Sequence, residues 1–301
     1  MNLIRNVSTQ TFQRKNLLKQ IYSKFDGLDK NSIVYNELAN SGHCFLNHFN
    51  LFKSRKEEHE EFLKLNIPPT RLLIKPFKID SKIAINLTQK SCQLEGNALT
   101  IDEIYNFGLN EQQFQTKCVE NIVIPKYKSK NDVLEAYWHW VALYQSIAEF
   151  TNNNKFSMTV NQILCIHKTL MNGFPNSNPG KVRIYPIQVT SYPLAIFPYP
   201  REVPTIVDKF CNWVDLESEI SHPILFSCDL FLNFCHIHPF HDGNGRISRI
   251  LANMALLQKG YHPCLLTGVS REHYTKCVYE AQQEGKRYIF YKLIFDSMCL
   301  S

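Results

Sequence analysis

The chain has 301 residues, of which 44% are hydrophobic and 20% charged, with 20 Phe and 14 Tyr. Those fractions exclude wholesale disorder and collagen-like repetition. No stretch reaches the roughly 20 uncharged apolar residues of a membrane-spanning helix, so no membrane partner is expected. The net charge of +6 arises in the first third, where residues 1–90 hold 15 basic and 8 acidic side chains. These basic residues are scattered among apolar ones with no compact Lys/Arg block, which argues against nucleic acid as a partner. The ten cysteines lie no closer than seven residues apart and form no C-x-x-C pair. They read as small buried side chains in a reducing compartment, and a zinc knuckle has no support.

In chain order, the N-terminus carries Arg5, Arg14, Lys15, Lys19 and Lys24 with no acid before Asp26. That is a mitochondrial-presequence pattern. Residues 16–25 also read as an ordinary amphipathic helix, and a cytoplasmic location is the expectation. Pro68, Pro69 and Pro76 break the helical patterning and separate an N-terminal helical segment, 1–78, from a main domain, 79–301. Beyond residue 82 the apolar periodicity predicts helices from Asn131, from Thr159 to Leu170, and over 222–234, 246–257, 271–283 and 288–298. The exception is 183–198, where Ile184, Ile187, Val189, Tyr192, Ile196 and Phe197 alternate with prolines; it predicts a short, exposed β-hairpin.

The informative stretch runs from His236 to Arg249. Gly243, Asn244 and Gly245 open a helix predicted from Arg246, and consecutive N–H groups in such a turn form an anion-binding nest. Arg246 and Arg249 share one face of the first turn, where guanidinium forks beside a nest match a polyphosphate. Asp242 is placed to hold Mg²⁺ against those phosphates. His238, upstream on the loop, is placed to take a proton from an attacking hydroxyl. Two other readings compete: a plain turn followed by solvated arginines, and a transition-metal cluster of His236, His238, His241 and Asp242. The second leaves the glycines and arginines without a role.

The run His238-Pro239-Phe240-His241-Asp242-Gly243-Asn244-Gly245-Arg246-Ile247-Ser248-Arg249 resembles, without gaps, the H-P-F-x-[DE]-G-N-G-R-x-x-R signature of the Fic family. The resemblance extends over roughly 82–298 and implies a mostly α-helical domain with a β-hairpin flap. It implies transfer of AMP from ATP to a Ser, Thr or Tyr hydroxyl of a target protein docked along the flap, about 183–198. By the family's pattern His238 is the catalytic base and Asp242 binds Mg²⁺. Gly243, Asn244, Gly245, Arg246 and Arg249 hold the nucleotide, in the catalytic loop 238–249. Buried Phe240 anchors that loop. A homodimer is compatible with the family.

A second, shorter run, Ser91-Cys92-Gln93-Leu94-Glu95-Gly96, resembles the family's inhibitory motif [ST]-x-x-x-E-[GN]. It implies an inhibitory helix at about 82–96 whose Glu95, beside Gly96 and one turn from Ser91, pairs with Arg249 and blocks productive ATP binding. Two alternatives remain: removal of AMP by water at the same site, and a catalytically idle nucleotide- or protein-binding module.

Overall fold

The computed structural model describes residues 2–66, 80–107, 122–150 and 155–299, and of residues 2–11 only the backbone. The junction expected around Pro68, Pro69 and Pro76 lies outside the described residues. The architecture is helical. The N-terminal part contains α1 (Asn2–Tyr22), α2 (Ile33–Ser41), α3 (His43–Phe49) and α4 (Lys56–Leu65). There follow α5 (Ser81–Glu95), α6 (Ile101–Tyr105), α7 (Lys130–Phe150) and α8 (Val160–Leu170). The chain ends with α9 (Val203–Ile220), α10 (Pro223–Ile237), α11 (Asn244–Gln258), α12 (Arg271–Gln283) and α13 (Arg287–Cys299).

Local chemistry explains most boundaries. Asp80 caps α5, its carboxylate accepting from Ile83 N–H at 2.8 Å, and Gly96 ends the helix in the left-handed region. Thr159 and Gln162 form a capping box at the start of α8. Helix α10 is buried along almost its whole length because it lies between two cores. Leu230, Phe234 and Ile237 join α7, α8, α9 and α11 in the larger core, together with Phe45 and Leu51 from the N-terminal part. Leu225, Phe231 and Leu232 join α12, α13 and Phe62 of α4 in the other. At the seam Asp229 of α10 is buried and accepts from Arg287 Nη1 at 2.5 Å and from Tyr291 at 2.7 Å. His59 of α4 meets its other oxygen at 2.9 Å. Burial pushes the Asp229 carboxyl up, but Arg287 and His59 outweigh it and bring it down to about 2.

Two expectations are corrected. Among the described residues 183–198 form no β-strand; the segment is a loop with turns closed by Tyr192 N–H to Val189 and Ala195 N–H to Tyr192. Pro186, Pro193 and Pro198 lack the N–H donors that a hairpin ladder requires. Second, α11 begins at Asn244 rather than Arg246, with Gly243 as its left-handed cap at φ +82°. Asn244 and Gly245 thus lie inside the first turn. Helix α1 is also longer than the amphipathic stretch at 16–25.

Candidate active site

The α10–α11 turn is built from inside. Phe240 is fully buried and stacks face to face on His167 of α8, with ring centroids 3.7 Å apart. His167 accepts Gly180 N–H at Nδ1 (2.9 Å), so its proton sits on Nε2, directed at the Asp242 carbonyl at 3.2 Å. Burial lowers the His167 pKa to about 4 and keeps the ring neutral for that role. Asn244 clasps the turn: its Oδ1 accepts Phe240 N–H at 2.9 Å and its Nδ2 donates to the Phe240 carbonyl at 2.8 Å. Its side chain is therefore committed to the loop, and what Asn244 offers the cleft is main chain.

His238 ends α10 in the left-handed region, φ +51°, a conformation costing roughly 1–3 kcal/mol for a non-glycine residue. Surrounding bonds hold it there. Its carbonyl accepts Arg183 Nε at 2.7 Å, and Arg183 also donates to the Tyr185 and Pro198 carbonyls. Arg183 is 1% exposed, and burial brings it down to about 10. The His238 Nδ1 lies 3.0 Å from the Cys235 carbonyl, which assigns the proton to Nδ1 and leaves the Nε2 lone pair available. The Phe197 ring, 4.6 Å away, covers one side, and burial lowers the His238 pKa to about 4.

The first intrahelical bond of α11 runs from Ile247 N–H to Gly243. The N–H groups of Asn244, Gly245 and Arg246 are left without an intrahelical acceptor, at the positive end of the helix dipole. Asp242 stands beside them. One of its oxygens accepts Gly243 N–H and Arg246 Nη2, at 2.6 and 2.8 Å, while the carboxylate stays 58% exposed at the cleft. Burial pushes this carboxyl up, but Arg246 and the Gly243 N–H prevail and lower it.

The two arginines part ways. Arg246 turns behind the loop, where Glu135 of α7 takes its Nη1 at 2.7 Å; it does not line the cleft. Glu135 in turn accepts Asn97 Nδ2 at 2.7 Å. Arg249 faces the cleft fully occupied. It donates to Ser91 Oγ and the Ser91 carbonyl at 2.9 Å each, to Tyr274 at 3.0 Å, and to Glu95 at 2.6 Å. Burial pushes the Glu95 carboxyl up, but Arg249 and Arg246 hold it below its ordinary value. Glu95 also stands over the start of α11: a Cβ on Gly245 would lie 2.7 Å from its Oε1. Gly96 ends α5 at φ +106°, so the chain turns away just after the carboxylate.

These groups face one cleft of about 210 Å³ that opens to solvent. Glu95, His238, Asp242, Gly243, Asn244, Gly245 and Arg249 line its polar end. Val189, Tyr192, Val278 and Tyr279 line the apolar end, with the two tyrosine rings stacked at 4.5 Å. The histidines do not converge as a metal cluster: His236 is buried against Phe45 and Phe49 and meets Gln283. No group of three or more His, Cys, Asp or Glu side chains among the described residues is arranged to hold a metal.

Residues 157–256 match the Fic/DOC family. A curated relative, the protein adenylyltransferase Fic of Culex quinquefasciatus, is 31% identical over 150 residues, which are 50% of this chain and 29% of that protein. The chain thus spans less than a third of the length of the curated relatives it matches. Among solved structures, a Fic-domain-containing signaling protein from Bacteroides thetaiotaomicron superposes with a TM-score of 0.61 at 19% identity, covering 88% of this chain and 94% of that one. Fic-1 of C. elegans, residues 134–508, gives 0.56 at 19% identity, covering 88% and 70%. Both share the fold. No described helix is long and apolar enough to cross a membrane.

Four residues that hold the site went unassigned in the sequence. Arg183 opens the 183–198 stretch, and its burial has no periodic signal. His167 falls within the helix expected from Thr159 to Leu170, with no role of its own assigned. Glu135 looks like the wet face of α7. Asn97 directly follows the inhibitory motif, and that adjacency is the one signal available.

Proposed function

We propose that this protein is an adenylyltransferase that moves AMP from ATP to a Ser, Thr or Tyr hydroxyl of a target protein, restrained by Glu95. The observation that carries the reading is the pair His238 and Arg249. A histidine with its Nε2 lone pair free lies beside the open N-terminus of a helix, and the arginine best placed for a terminal phosphate is held by Glu95 at 2.6 Å. In the transfer, His238 Nε2 takes the target hydroxyl's proton as that oxygen attacks the α-phosphorus; the bond to the β-phosphate breaks and pyrophosphate leaves. The N–H groups of Asn244, Gly245 and Arg246 hold phosphate oxygens, and Arg246, tied to Glu135, keeps Asp242 in place. The donor set fits Mg²⁺: Asp242 is an exposed carboxylate with one oxygen free of internal bonds, and this ion usually takes only one or two carboxylates beside phosphates. When bound it supplies neutralising charge on the phosphates.

The loop at 183–198 is the docking edge for the target in this reading, with Ile184 and Tyr185 exposed beside the cleft. Residues 1–78 then form an N-terminal segment on a Fic domain of 79–301. Intact-mass spectrometry after incubation with ATP and Mg²⁺ tests the chemistry. Glu95→Gly gains one AMP per modified hydroxyl, and Glu95→Gly with His238→Ala gains none. A phosphate-sized gain, or equal gains in both proteins, refutes the reading.

A second reading rests on one observation. Glu95 directs only Oε1 to Arg249, and the carboxylate is 34% exposed at the cleft. Its second oxygen is placed to hold a water that removes AMP from a modified protein, so Glu95→Gly would abolish release.

A further inference from the structure

The loop at 183–199 has no strand ladder of its own, yet it carries Phe197, which packs on the His238 ring. Its order comes from outside. Gln283 of α12 grips Ile196 on both sides, accepting its N–H at 2.9 Å and donating to its carbonyl at 3.2 Å. On the other flank stands α1. Arg14 Nη2 donates to the Ile187 carbonyl at 3.1 Å, and the Tyr22 hydroxyl accepts Tyr199 N–H at 2.7 Å while facing the Phe197 carbonyl at 3.4 Å. Ile21 packs with Ile196 and Cys44 in a small separate core. Phe25 and Tyr35 then close on Tyr199, whose hydroxyl meets that of Tyr35 at 3.3 Å.

We propose that the N-terminal helices are a brace for the active site: α1, through Arg14 and Tyr22, fixes the 183–199 loop so that Phe197 seals His238 and the exposed edge at Ile184 and Tyr185 keeps one shape. Tyr22 is a positioning residue, since it touches neither nucleotide site nor base. A loop with three prolines and two isolated turns would otherwise sample many conformations. The brace gives residues 1–66 a role in the transfer chemistry, and this part rests on the adenylyltransferase reading. The bracing itself does not.

The test uses the full chain with Tyr22→Phe, which removes one hydroxyl, and separately Arg14→Ala. Amide hydrogen exchange is followed at Val189–Ala195, whose own bonds α1 does not touch. A lost hydrogen bond of about 1 kcal/mol predicts roughly fivefold faster exchange there, with α11 unchanged. The second readout is an NMR titration of His238. Its ring lies near Arg183, Glu95, Asp242 and His236, and all four are intact in both variants. Loosening Phe197 admits water, and the His238 midpoint rises from about 4 toward its ordinary value. Wild-type exchange at Val189–Ala195, or an unmoved His238 midpoint in the folded variants, overturns the proposal. Neither readout requires turnover, so an inactive Glu95→Gly protein would refute the catalytic reading and leave the brace standing.

Discussion

Replacing Glu95 by Gly has a calculable effect on nucleotide binding, separate from any turnover. Arg249 makes four hydrogen bonds, of which three go to neutral partners and one to the Glu95 carboxylate at 2.6 Å. A hydrogen bond between charged groups contributes roughly 1.5–3 kcal/mol. Glu95 is 34% exposed, so solvent screening places this pair at the lower end, about 1.5 kcal/mol. A terminal phosphate must displace that carboxylate to reach Arg249. Glu95→Gly should therefore tighten ATP about tenfold, at about 1.4 kcal/mol per decade. ADP, one phosphate shorter, should gain less. Calorimetric titration of both nucleotides into His238→Ala proteins, with and without Glu95→Gly, reads the difference without turnover. Equal ATP affinities within about twofold, or an equal gain for ADP, would refute the claim that Glu95 competes for the terminal-phosphate position.

Further expectations follow from the same geometry. His238→Ala in the Glu95→Gly protein should lower AMP transfer about 10²–10⁴-fold while leaving ATP affinity near its parent value, read by paired rate and binding measurements. The base must be neutral, so transfer should be flat from pH 6 to 8, within about twofold, and fall as pH drops through the His238 pKa of about 4; a loss already complete at pH 6 would contradict the burial argument. Asn244→Ala strips both main-chain groups of Phe240 of their partners and should cost roughly 2–4 kcal/mol in denaturant unfolding. Asp229→Ala leaves Arg287 buried without its acid and should cost about 3–5 kcal/mol in the same measurement. The Asp229 carboxyl sits lower folded than its ordinary value of 3.8, so its contribution is complete above that value and is lost as pH falls toward about 2.

Much of this was legible in the residues alone. The string from His238 to Arg249 forms the turn between α10 and α11 and the start of α11, and Ser91 and Glu95 both bond Arg249. Helix α12 matches its periodic pattern over 271–283 because Ser270 caps it sharply. The expected hairpin does not form for a physical reason: β-branched and aromatic residues favour strands, but the interleaved prolines remove the ladder donors. The burial of Ile196 reflects packing against Ile21 of α1, a tertiary fact with no local signature. Arg246 shows the limit in the site itself. Spacing places it on the same helical face as Arg249, but Glu135, 111 residues upstream in α7, draws it behind the loop. Asn244 likewise spends its side-chain amide on Phe240, which leaves its main-chain N–H to the cleft. Long-range partners of this kind leave no trace in a single sequence.

The most direct test of restrained AMP transfer is a paired assay of AMP incorporation from ATP and AMP release from modified protein. Wild type, Glu95→Gly, and Glu95→Gly with Arg249→Glu are compared at equal Mg²⁺. The account predicts low incorporation by wild type, a rise of about tenfold or more in Glu95→Gly, in line with the freed Arg249, and none in the double variant, whose reversed charge cannot hold a terminal phosphate. Equal incorporation by wild type and Glu95→Gly would contradict it and reduce Glu95 to a helix-end carboxylate.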